Sequence, residues 1–395
     1  MGLLAEVLLL AAAWFGHAFL MTVCLNWTYA QPVSRKFLKL LRLLIAILVF
    51  AFPFVVGWAL FGRLRESAVP SGDAVAWLIA AYLWICWLTA LVYVPTISVV
   101  RAVRRDPPQV VQRDAKVVDI TARLGEKPIG DGKNWRLAKL PWNDIFRVEF
   151  GERTFALDRL PPALDGLTIL HLTDLHLCGT PDRQFYREVL DLCMAVGPPD
   201  VVAITGDVVD SAFHYRWIVP LLGRLRWTTA AFAILGNHDA IYDPAVVRRR
   251  LSKLRMQVLG NSWRQVDIRG EPVVVIGQEA PWFRPEPDLT KCPKELFRLC
   301  LSHTPDHFDW ARRHDVDLML AGHVHGGQIR LPMVGPLFVP SRYSRRYDSG
   351  TFYAAPTLMR VTRGLAGREP LRFNCPPEVV RITLRRGPQA AGSRQ

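Results

Sequence analysis

Five short apolar segments in this chain of 395 residues each end in side chains that can bind a metal ion. Their compact apolar runs predict buried strands, and helical periodicity between them predicts layered α/β packing around a sheet. Sites in open α/β sheets form at the carboxyl ends of the strands, so the five ends are expected to meet. The segments read "LTILHLTDLH", "VVAITGDVVD", "AFAILGNHDA", "FRLCLSHTPD" and "LMLAGHVHGG".

The donors at these segment ends are oxygen and imidazole nitrogen, without a thiolate. The candidate ligands are Asp174, His176, Asp207, Asn237, His303, His323 and His325. Such donors suit manganese, iron or zinc and disfavour a structural cysteine-type zinc site. Seven ligands are too many for one tetrahedral ion. They suit two adjacent ions that share a bridging carboxylate, as in two-metal phosphoryl enzymes.

Among the side chains that follow the strand ends, one histidine is not assigned as a ligand. His238, in the run Gly-Asn-His-Asp, is predicted to be catalytic, as a cation or proton donor near the leaving oxygen. Asp239 is predicted to orient it. Each motif alone is weak, because Gly-Asp or Gly-Asn-His-Asp can form an ordinary turn. Five motifs in this order, each following an apolar strand, favour a phosphoryl-transfer site.

This motif set resembles that of the calcineurin-like metallophosphoesterases, over the region Leu160 to Leu384. The resemblance implies a four-layer α/β/β/α sandwich with a dimetal site at the strand ends and His238 as the catalytic histidine. It implies that one ion is held by Asp174, His176, Asp207 and His325. It implies that the other is held by Asp207, Asn237, His303 and His323, with Asp207 bridging.

The runs "HGGQIRLP" and "VTRGLAGREPLRFNCPPEVVRITL" further resemble a bacterial subgroup of membrane-tethered phosphodiesterases. That subgroup includes a UDP-2,3-diacylglucosamine pyrophosphatase of lipid A synthesis. Val324 stands where a threonine is usual in the subgroup. The resemblance implies two divalent ions, with manganese favoured over iron or zinc, and a lipid-linked substrate.

Three long segments near the N-terminus carry no acidic residue, lysine or arginine: Val7 to Ser34, Leu43 to Gly62 and Ala74 to Val100. Each supplies the roughly 20 apolar residues that cross a bilayer, so three transmembrane helices are expected. The loop after the first segment and the chain after the third are rich in lysine and arginine. The positive-inside rule then predicts that the chain beyond residue 101 is cytoplasmic. The resemblance to the bacterial subgroup implies that the membrane is the bacterial inner membrane.

The predicted domains are a membrane region at 1–103, a linker at 104–114, a metallophosphoesterase domain at 115–385 and a disordered tail at 386–395. The seven cysteines are scattered without a C-x-x-C pair, which predicts reduced thiols. Within the large domain, Ile145 to Phe150 alternates like an edge strand. Helices are predicted at Gln184 to Val196, Pro244 to Leu254 and His307 to His314.

The net charge of +14 favours an anionic partner. The aromatic stretches Pro281 to Pro287 and Met333 to Pro340 can dock at a bilayer, or they can be ordinary loops packed over the sheet. The expected partners are the bilayer and a phosphorylated amphiphilic substrate, and no nucleic acid, since no recognised binding module is found.

The leading hypothesis is a membrane-anchored hydrolase of a phosphodiester or pyrophosphate bond in a lipid-linked substrate such as UDP-2,3-diacylglucosamine. One alternative is the same chemistry on a soluble cyclic nucleotide or phosphoprotein. The other is a membrane sensor or binding protein without catalysis.

Overall fold

The structure is a computed structural model that describes residues 3–63 and 74–387. The chain divides into two compact units. The helical unit contains Met1–Arg105 and Leu331–Arg345, and the sandwich unit contains Asp106–Arg330 and Arg346–Gln395. Residues Leu331–Arg345 therefore pack with the N-terminal helices, although the sequence predicts them within the large domain.

The helical unit is built from long apolar helices. They are α1 (Leu3–Tyr29), α2 (Arg35–Arg63), α3 (Ala74–Leu88) and α4 (Val94–Ala102), and a π-helical turn joins α3 to α4. Three stretches are long and apolar enough to cross a membrane: Leu3–Tyr29, Arg35–Trp58 and Trp77–Ala102. These match the three predicted spans. The basic residue Arg65, predicted in the second loop, lies outside the described residues.

Contacts between the helices explain how the bundle packs. A Cβ on Gly16 of α1 would lie 1.9 Å from the carbonyl oxygen of Cys86, so only glycine permits this close crossing with α3. His17 is buried beside the crossing: its Nδ1 lies 2.6 Å from the hydroxyl of Tyr82, and its ring stacks on Phe52 at 4.3 Å. The polar groups at the crossing thus bond to each other within the bundle.

The sandwich unit contains two mixed sheets. The strands of the first are β1 (Val110–Asp119), β2 (Arg147–Leu157), β3 (Thr168–Leu172), β4 (Val201–Thr205), β5 (Ala230–Ile234), β6 (Gln257–Val258) and β15 (Glu378–Arg386). Those of the second are β7 (Trp263–Ile268), β8 (Glu271–Gln278), β9 (Phe297–Ser302), β10 (Leu318–Ala321), β13 (Gly350–Ala354) and β14 (Thr357–Val361).

The strand orders are β1-β2-β15-β3-β4-β5-β6 and β13-β14-β10-β9-β8-β7. Strands β3, β4 and β5 run parallel, as do β8, β9 and β10. Each of these central strands is apolar and buried on both faces, which is the pattern of a parallel sheet covered on two sides. Their carboxyl ends therefore lie along one edge of each sheet.

A continuous apolar core fills the space between the sheets, and helices cover their outer faces. The helices of this unit are α5 (Ile120–Leu124), α6 (Arg183–Ala195), α7 (Tyr215–Leu222), α8 (Pro244–Lys253) and α9 (Phe308–Arg313). Side chains of α6, α7 and α8 pack on one face of the first sheet, whose other face packs on the second sheet. Helix α9 packs against β14. The four-layer α/β/β/α sandwich is confirmed.

Side-chain caps explain where two of the predicted helices begin. The Oδ1 of Asp182 accepts hydrogen bonds from the backbone N–H groups of Gln184 and Phe185 at the start of α6. Asp243 does the same for α8, whose first residue is Pro244. The predicted helix at His307 to His314 is confirmed as α9 with a 3₁₀ turn before it.

Two predictions about the start of the large domain are wrong. Strand β1 begins at Val110, inside the range predicted as a linker, and pairs with β2 in antiparallel register. The predicted edge strand, β2, consequently lies inside the sheet between β1 and β15. Most side chains of β1 are exposed to solvent, so its sequence lacks the apolar face that would mark a strand. All seven cysteines are free, as predicted, and most of the predicted tail, 388–395, lies outside the described residues.

Candidate metal centre

The predicted ligands follow the carboxyl ends of strands in both sheets. Asp174 and His176 follow β3, Asp207 follows β4, and Asn237 follows β5. In the second sheet, His303 follows β9, while His323 and His325 follow β10. The two sheets thus bring their ligand-bearing ends together at one place in the sandwich unit.

One group contains Asp174, His176, Asp207 and His325, with one donor atom from each residue lying within 4.8 Å of the others. The Nε2 of His176 lies 3.5 Å from Oδ2 of Asp207 and 3.2 Å from Nε2 of His325. The Nε2 of His325 lies 3.7 Å from Oδ1 of Asp174. These atoms surround a common point, as ligands of one ion do.

A second group contains Asp207, His303 and His323, and Asn237 adjoins it. The Nε2 of His303 lies 3.4 Å from Oδ1 of Asp207 and 3.0 Å from the amide oxygen of Asn237. Asp207 belongs to both groups, and its two oxygens face different ones. The structure therefore brings all seven predicted ligands together in the arrangement expected for two ions and a bridging carboxylate.

Buried polar atoms in this cluster fit a cation. Among the described residues, Oδ2 of Asp207 and Nε2 of His323 are buried without a hydrogen-bond partner. An unpaired carboxylate oxygen or imidazole nitrogen in a protein interior costs about 1–3 kcal/mol or more. Divalent cations would satisfy both atoms, and the mixture of carboxylate, amide and imidazole suits the metals named from the sequence.

Backbone conformation at the cluster is unusual. Asp174, His176, Asp207, His323 and His325 all have φ between 43° and 70°, in the left-handed region that few residues other than glycine adopt. Such conformations cost on the order of 1–3 kcal/mol each and concentrate at functional sites. The chain turns sharply after each strand, and this turn aims the side chains at the shared point.

Two glycines leave the space that the ligands occupy. A Cβ on Gly236 would lie 2.2 Å from Oδ1 of Asp207, and one on Gly322 would lie 2.4 Å from Oδ2 of Asp174. Real side chains cannot approach so closely. These glycines directly precede Asn237 and His323, so they permit the backbone to pass beside the cluster.

Hydrogen bonds hold two of the imidazoles with Nε2 facing the cluster. The Nδ1 of His303 donates to the carbonyl oxygen of Thr205 at 2.7 Å, and Nδ1 of His176 lies 2.8 Å from Oδ2 of Asp210. A partner on Nδ1 selects the tautomer whose Nε2 is free to bind a metal.

The charges of the cluster shift its protonation equilibria. Burial disfavours the imidazolium of His176, but Asp210, Asp207 and Asp174 outweigh it and raise the pKa of His176 to about 9. Burial also disfavours the imidazolium of His303, but Asp207 and Asp174 outweigh it and raise the pKa of His303 to about 9. Without cations the carboxylates therefore hold protons on these two rings.

The predicted catalytic histidine has a different partner from the one expected. Nδ1 of His238 hydrogen-bonds Oδ1 of Asp210. Asp239 is buried, and its donors among the described residues are backbone N–H groups, including those of Val208 and Gly236. Asp239 thus stabilises the turns that carry Asp207 and Asn237. Burial, together with the charge of Asp207, raises the pKa of Asp239 to about 7. The sequence predicts no role for Asp210, although Asp210 stands three residues after Asp207 in one Gly-Asp-x-x-Asp motif.

An aromatic residue also adjoins the second ligand group. The ring of Trp282 lies 4.7 Å from that of His323 and 5.4 Å from that of His303, between centroids. It is partly exposed. The sequence predicts only that its loop, Pro281 to Pro287, docks at a bilayer or packs over the sheet. No local pattern marks this contact, because the loop after β8 reaches the cluster only in the folded chain.

Comparison with known proteins agrees with this site. A family model for calcineurin-like phosphoesterases matches residues 167–327. An uncharacterized metallophosphoesterase of Bacillus subtilis, YkuE, is 30% identical over 60% of this chain and 86% of that protein. The phosphodiesterase YaeI of Escherichia coli is 30% identical over 55% of this chain and 81% of that protein.

A more distant relative combines the same domain with membrane segments. It is a zebrafish (Danio rerio) transmembrane protein with a metallophosphoesterase domain, 28% identical over 58% of this chain and 55% of that protein. The first two relatives match along most of their own length. With a cluster of side chains able to bind metal at the strand ends, this chain belongs to the calcineurin-like metallophosphoesterases and is a metal-dependent phosphoester hydrolase.

Proposed function

We propose that this protein is a membrane-anchored dimetal hydrolase that cleaves a phosphodiester or pyrophosphate bond in a lipid-linked substrate, such as UDP-2,3-diacylglucosamine. The main support for a two-metal reaction is that Asp207 belongs to both ligand groups. One of its carboxylate oxygens faces the first group and the other faces the second. A carboxylate placed in this way is suited to bridging two cations.

The seven ligands would hold the ions, and manganese is the metal we propose. When bound there, a pair of divalent ions supplies charge neutralisation for phosphoryl oxygens and makes water a stronger nucleophile. Asp207 keeps the two ligand groups together. His303 and His176 keep Nε2 directed into the cluster through their Nδ1 partners.

His238 is the proposed proton donor to the leaving oxygen. Its Nδ1 is engaged by Asp210, so its Nε2 is the nitrogen available to a substrate. It is also partly exposed, in contrast to the buried ring of His176 beside it, 4.6 Å away between centroids. The Asp210 carboxylate fixes the orientation of the ring, so that Nε2 is placed to give a proton to the departing group.

Membrane anchoring is supported by the three apolar helices and by the membrane-spanning relative. Basic residues lie at the start of α2, at Arg35 and Lys36, and directly after α4, at Arg104 and Arg105. We therefore propose the bacterial inner membrane with the sandwich unit in the cytoplasm. A carboxyl-terminal green fluorescent protein fusion tests this placement, since it fluoresces when cytoplasmic, and a fusion to alkaline phosphatase would then be inactive.

An amphiphilic substrate is proposed because the chemistry and the anchor occur in one chain. The alternative is the same chemistry on a soluble substrate. The name of the Escherichia coli relative, a phosphodiesterase, supports a diester bond and does not separate the two substrates. A truncation at Val110 would not separate the two cleanly, because it removes the helices on which Leu331–Arg345 packs. The comparison therefore requires the full chain.

The test measures hydrolysis by full-length protein in phospholipid nanodiscs with added Mn²⁺. UDP-2,3-diacylglucosamine is compared with a soluble chromogenic phosphodiester, and Asp207→Ala is the inactive reference. Asp191→Ala is the matched control, since Asp191 forms a surface ion pair with Arg224. Release of UMP by wild type and Asp191→Ala, but not by Asp207→Ala, would support the proposal.

Two results would contradict parts of it. Turnover of the chromogenic diester without release of UMP would reject this lipid substrate and retain the hydrolase. Equal activity of Asp207→Ala and wild type on every substrate would reject the role assigned to the cluster.

A further inference from the structure

The segment Leu331–Arg345 leaves the sandwich unit after Arg330 and returns to it at Arg346, yet it packs with the N-terminal helices. It begins shortly after the candidate ligand His325 in the sequence. Its first part is a two-stranded ribbon of β11 (Arg330–Leu331) and β12 (Gly335–Pro336). We call residues 331–345 the docking segment.

A buried asparagine in α1 attaches the docking segment to the helices. Asn26 is 0% exposed. Its Oδ1 accepts a hydrogen bond from the backbone N–H of Val339 at 2.9 Å, and its Nδ2 donates to Oγ of Ser344 at 3.0 Å and to the carbonyl oxygen of Leu337 at 3.4 Å. An amide within an apolar helix requires such partners, so the segment completes the hydrogen bonding of α1.

Further contacts place the docking segment at one end of the helices. The ring of Phe338 meets that of Tyr29, the last residue of α1, edge to face at 5.1 Å. A Cβ on Gly335 would lie 3.2 Å from Nε of Arg101, near the end of α4. Ends of spanning helices that carry tyrosine, tryptophan and arginine lie at the membrane interface. The docking segment lies at that level of the helices.

The docking segment presents apolar side chains outward. Val339 is fully buried, whereas Met333 is 91% exposed, and Leu331, Leu337 and Phe338 are each about one third exposed. Adjacent exposed apolar groups are unusual on a surface that meets only water. Beside a transmembrane helix end, the medium that accepts them is the interfacial layer of the bilayer.

We infer that the docking segment is a bilayer-contacting element whose outward apolar side chains, led by Met333, enter the interfacial lipid layer beside the end of α1. This inference rests on the membrane anchoring proposed above. The occupant of the surface is phospholipid rather than a second copy of the chain, because the surface continues the lipid-facing flank of α1, where Trp27 is also exposed. The helical unit would then contact the bilayer through the docking segment as well as through the N-terminal helices.

The experiment uses site-specific photo-crosslinking in nanodiscs, which avoids changing the seven native cysteines. The full chain carries p-benzoylphenylalanine in place of Met333. The positive control carries it in place of Trp27 on α1, and the negative control carries it in place of Phe213, which is 58% exposed in the sandwich unit. Lipid adducts are quantified by mass spectrometry after irradiation.

We expect adducts at position 333 at a level comparable with that at 27 and about tenfold above that at 213. Adducts at 333 no more abundant than at 213, with normal labelling at 27, would overturn the inference. Crosslinks from 333 to a second protein chain instead of lipid would overturn it as well.

The readout does not depend on catalysis. Lipid adducts at 333 without hydrolysis of any lipid substrate would reject the proposed substrate and support the bilayer contact. Hydrolysis of the lipid substrate without adducts at 333 would support the substrate and reject the bilayer contact. No labelling at Trp27 would show that the helices themselves do not meet lipid, and both the anchoring and this inference would fall.

Discussion

The carboxylate of Asp210 joins the candidate metal centre to the candidate proton donor. Its Oδ2 lies 2.8 Å from Nδ1 of His176, and its Oδ1 hydrogen-bonds Nδ1 of His238. One buried side chain therefore orients both the candidate ligand and the candidate proton donor. Burial opposes its ionisation, but His238 and His176 outweigh this effect and hold the pKa of Asp210 well below its usual range.

Replacing Asp210 with asparagine should impair both functions, because the amide has one acceptor atom for two imidazole donors. We expect Asp210→Asn to lower kcat and metal affinity, each by about 10–100-fold. Kinetics across a Mn²⁺ titration measure the two effects separately. Asp239→Asn is the comparison. Asp239 accepts hydrogen bonds from the backbone N–H groups of Val208 and Gly236, so its replacement should mainly lower thermal stability. A kcat unchanged in Asp210→Asn at saturating metal would refute its role in positioning His238.

The role of His238 as proton donor can be tested through the leaving group. His238→Gln should slow hydrolysis of a phenyl phosphodiester by about 10²–10⁴-fold. A p-nitrophenyl diester should be affected much less, because p-nitrophenolate departs without a proton. His314→Gln is the control, since His314 follows α9 and its Nδ1 hydrogen-bonds the carbonyl oxygen of Trp310. Equal losses on both substrates would argue against proton donation.

The bridging position of Asp207 predicts a change in metal content. Wild-type protein loaded with Mn²⁺ and washed should retain about two ions per chain. Asp207→Ala should retain fewer than one, because both ligand groups lose a carboxylate oxygen. Inductively coupled plasma mass spectrometry measures this directly, and chelation followed by readdition of metal should abolish and restore activity in wild type. Two ions retained by the variant would exclude a bridging role.

A buried ion-pair cluster that contains none of the candidate ligands predicts a pH-dependent stability. Burial opposes ionisation of Glu378, but Arg360, Arg363 and Arg153 outweigh it and lower its pKa to about 2. The folded pKa lies below the unfolded value, so this stabilisation is present above about pH 4.5 and is lost as pH falls toward 2. The shift corresponds to about 3 kcal/mol.

Glu378→Gln should therefore lower the Tm of the full-length protein by several degrees at pH 7, and the difference from wild type should shrink between about pH 4.5 and 2. Differential scanning fluorimetry in detergent measures both. Glu152→Gln, an exposed change on neighbouring β2, should have little effect. A difference that grows as pH falls would contradict the sign of this linkage.

Local sequence alone determined much of this protein. Apolar runs of strand length predicted β3, β4, β5, β9 and β10, and long uncharged stretches predicted the three helices that can cross a membrane. The donor atoms at the strand ends predicted a two-metal centre, because residue type and spacing along one strand are local properties. The helix caps at Asp182 and Asp243 are local features as well, since each side chain bonds to the helix that it precedes.

Only the tertiary structure decided which distant groups meet. Asp210 rather than adjacent Asp239 holds His238, because the turn after β4 carries Asp210 to the ring while the backbone of Asp239 folds its carboxylate inward. Trp282 reaches the second ligand group, and Asn26 of α1 binds the docking segment more than 300 positions away. Periodicity and propensity describe neighbours along the chain, whereas these contacts depend on how sheets and helices pack, which no local pattern records.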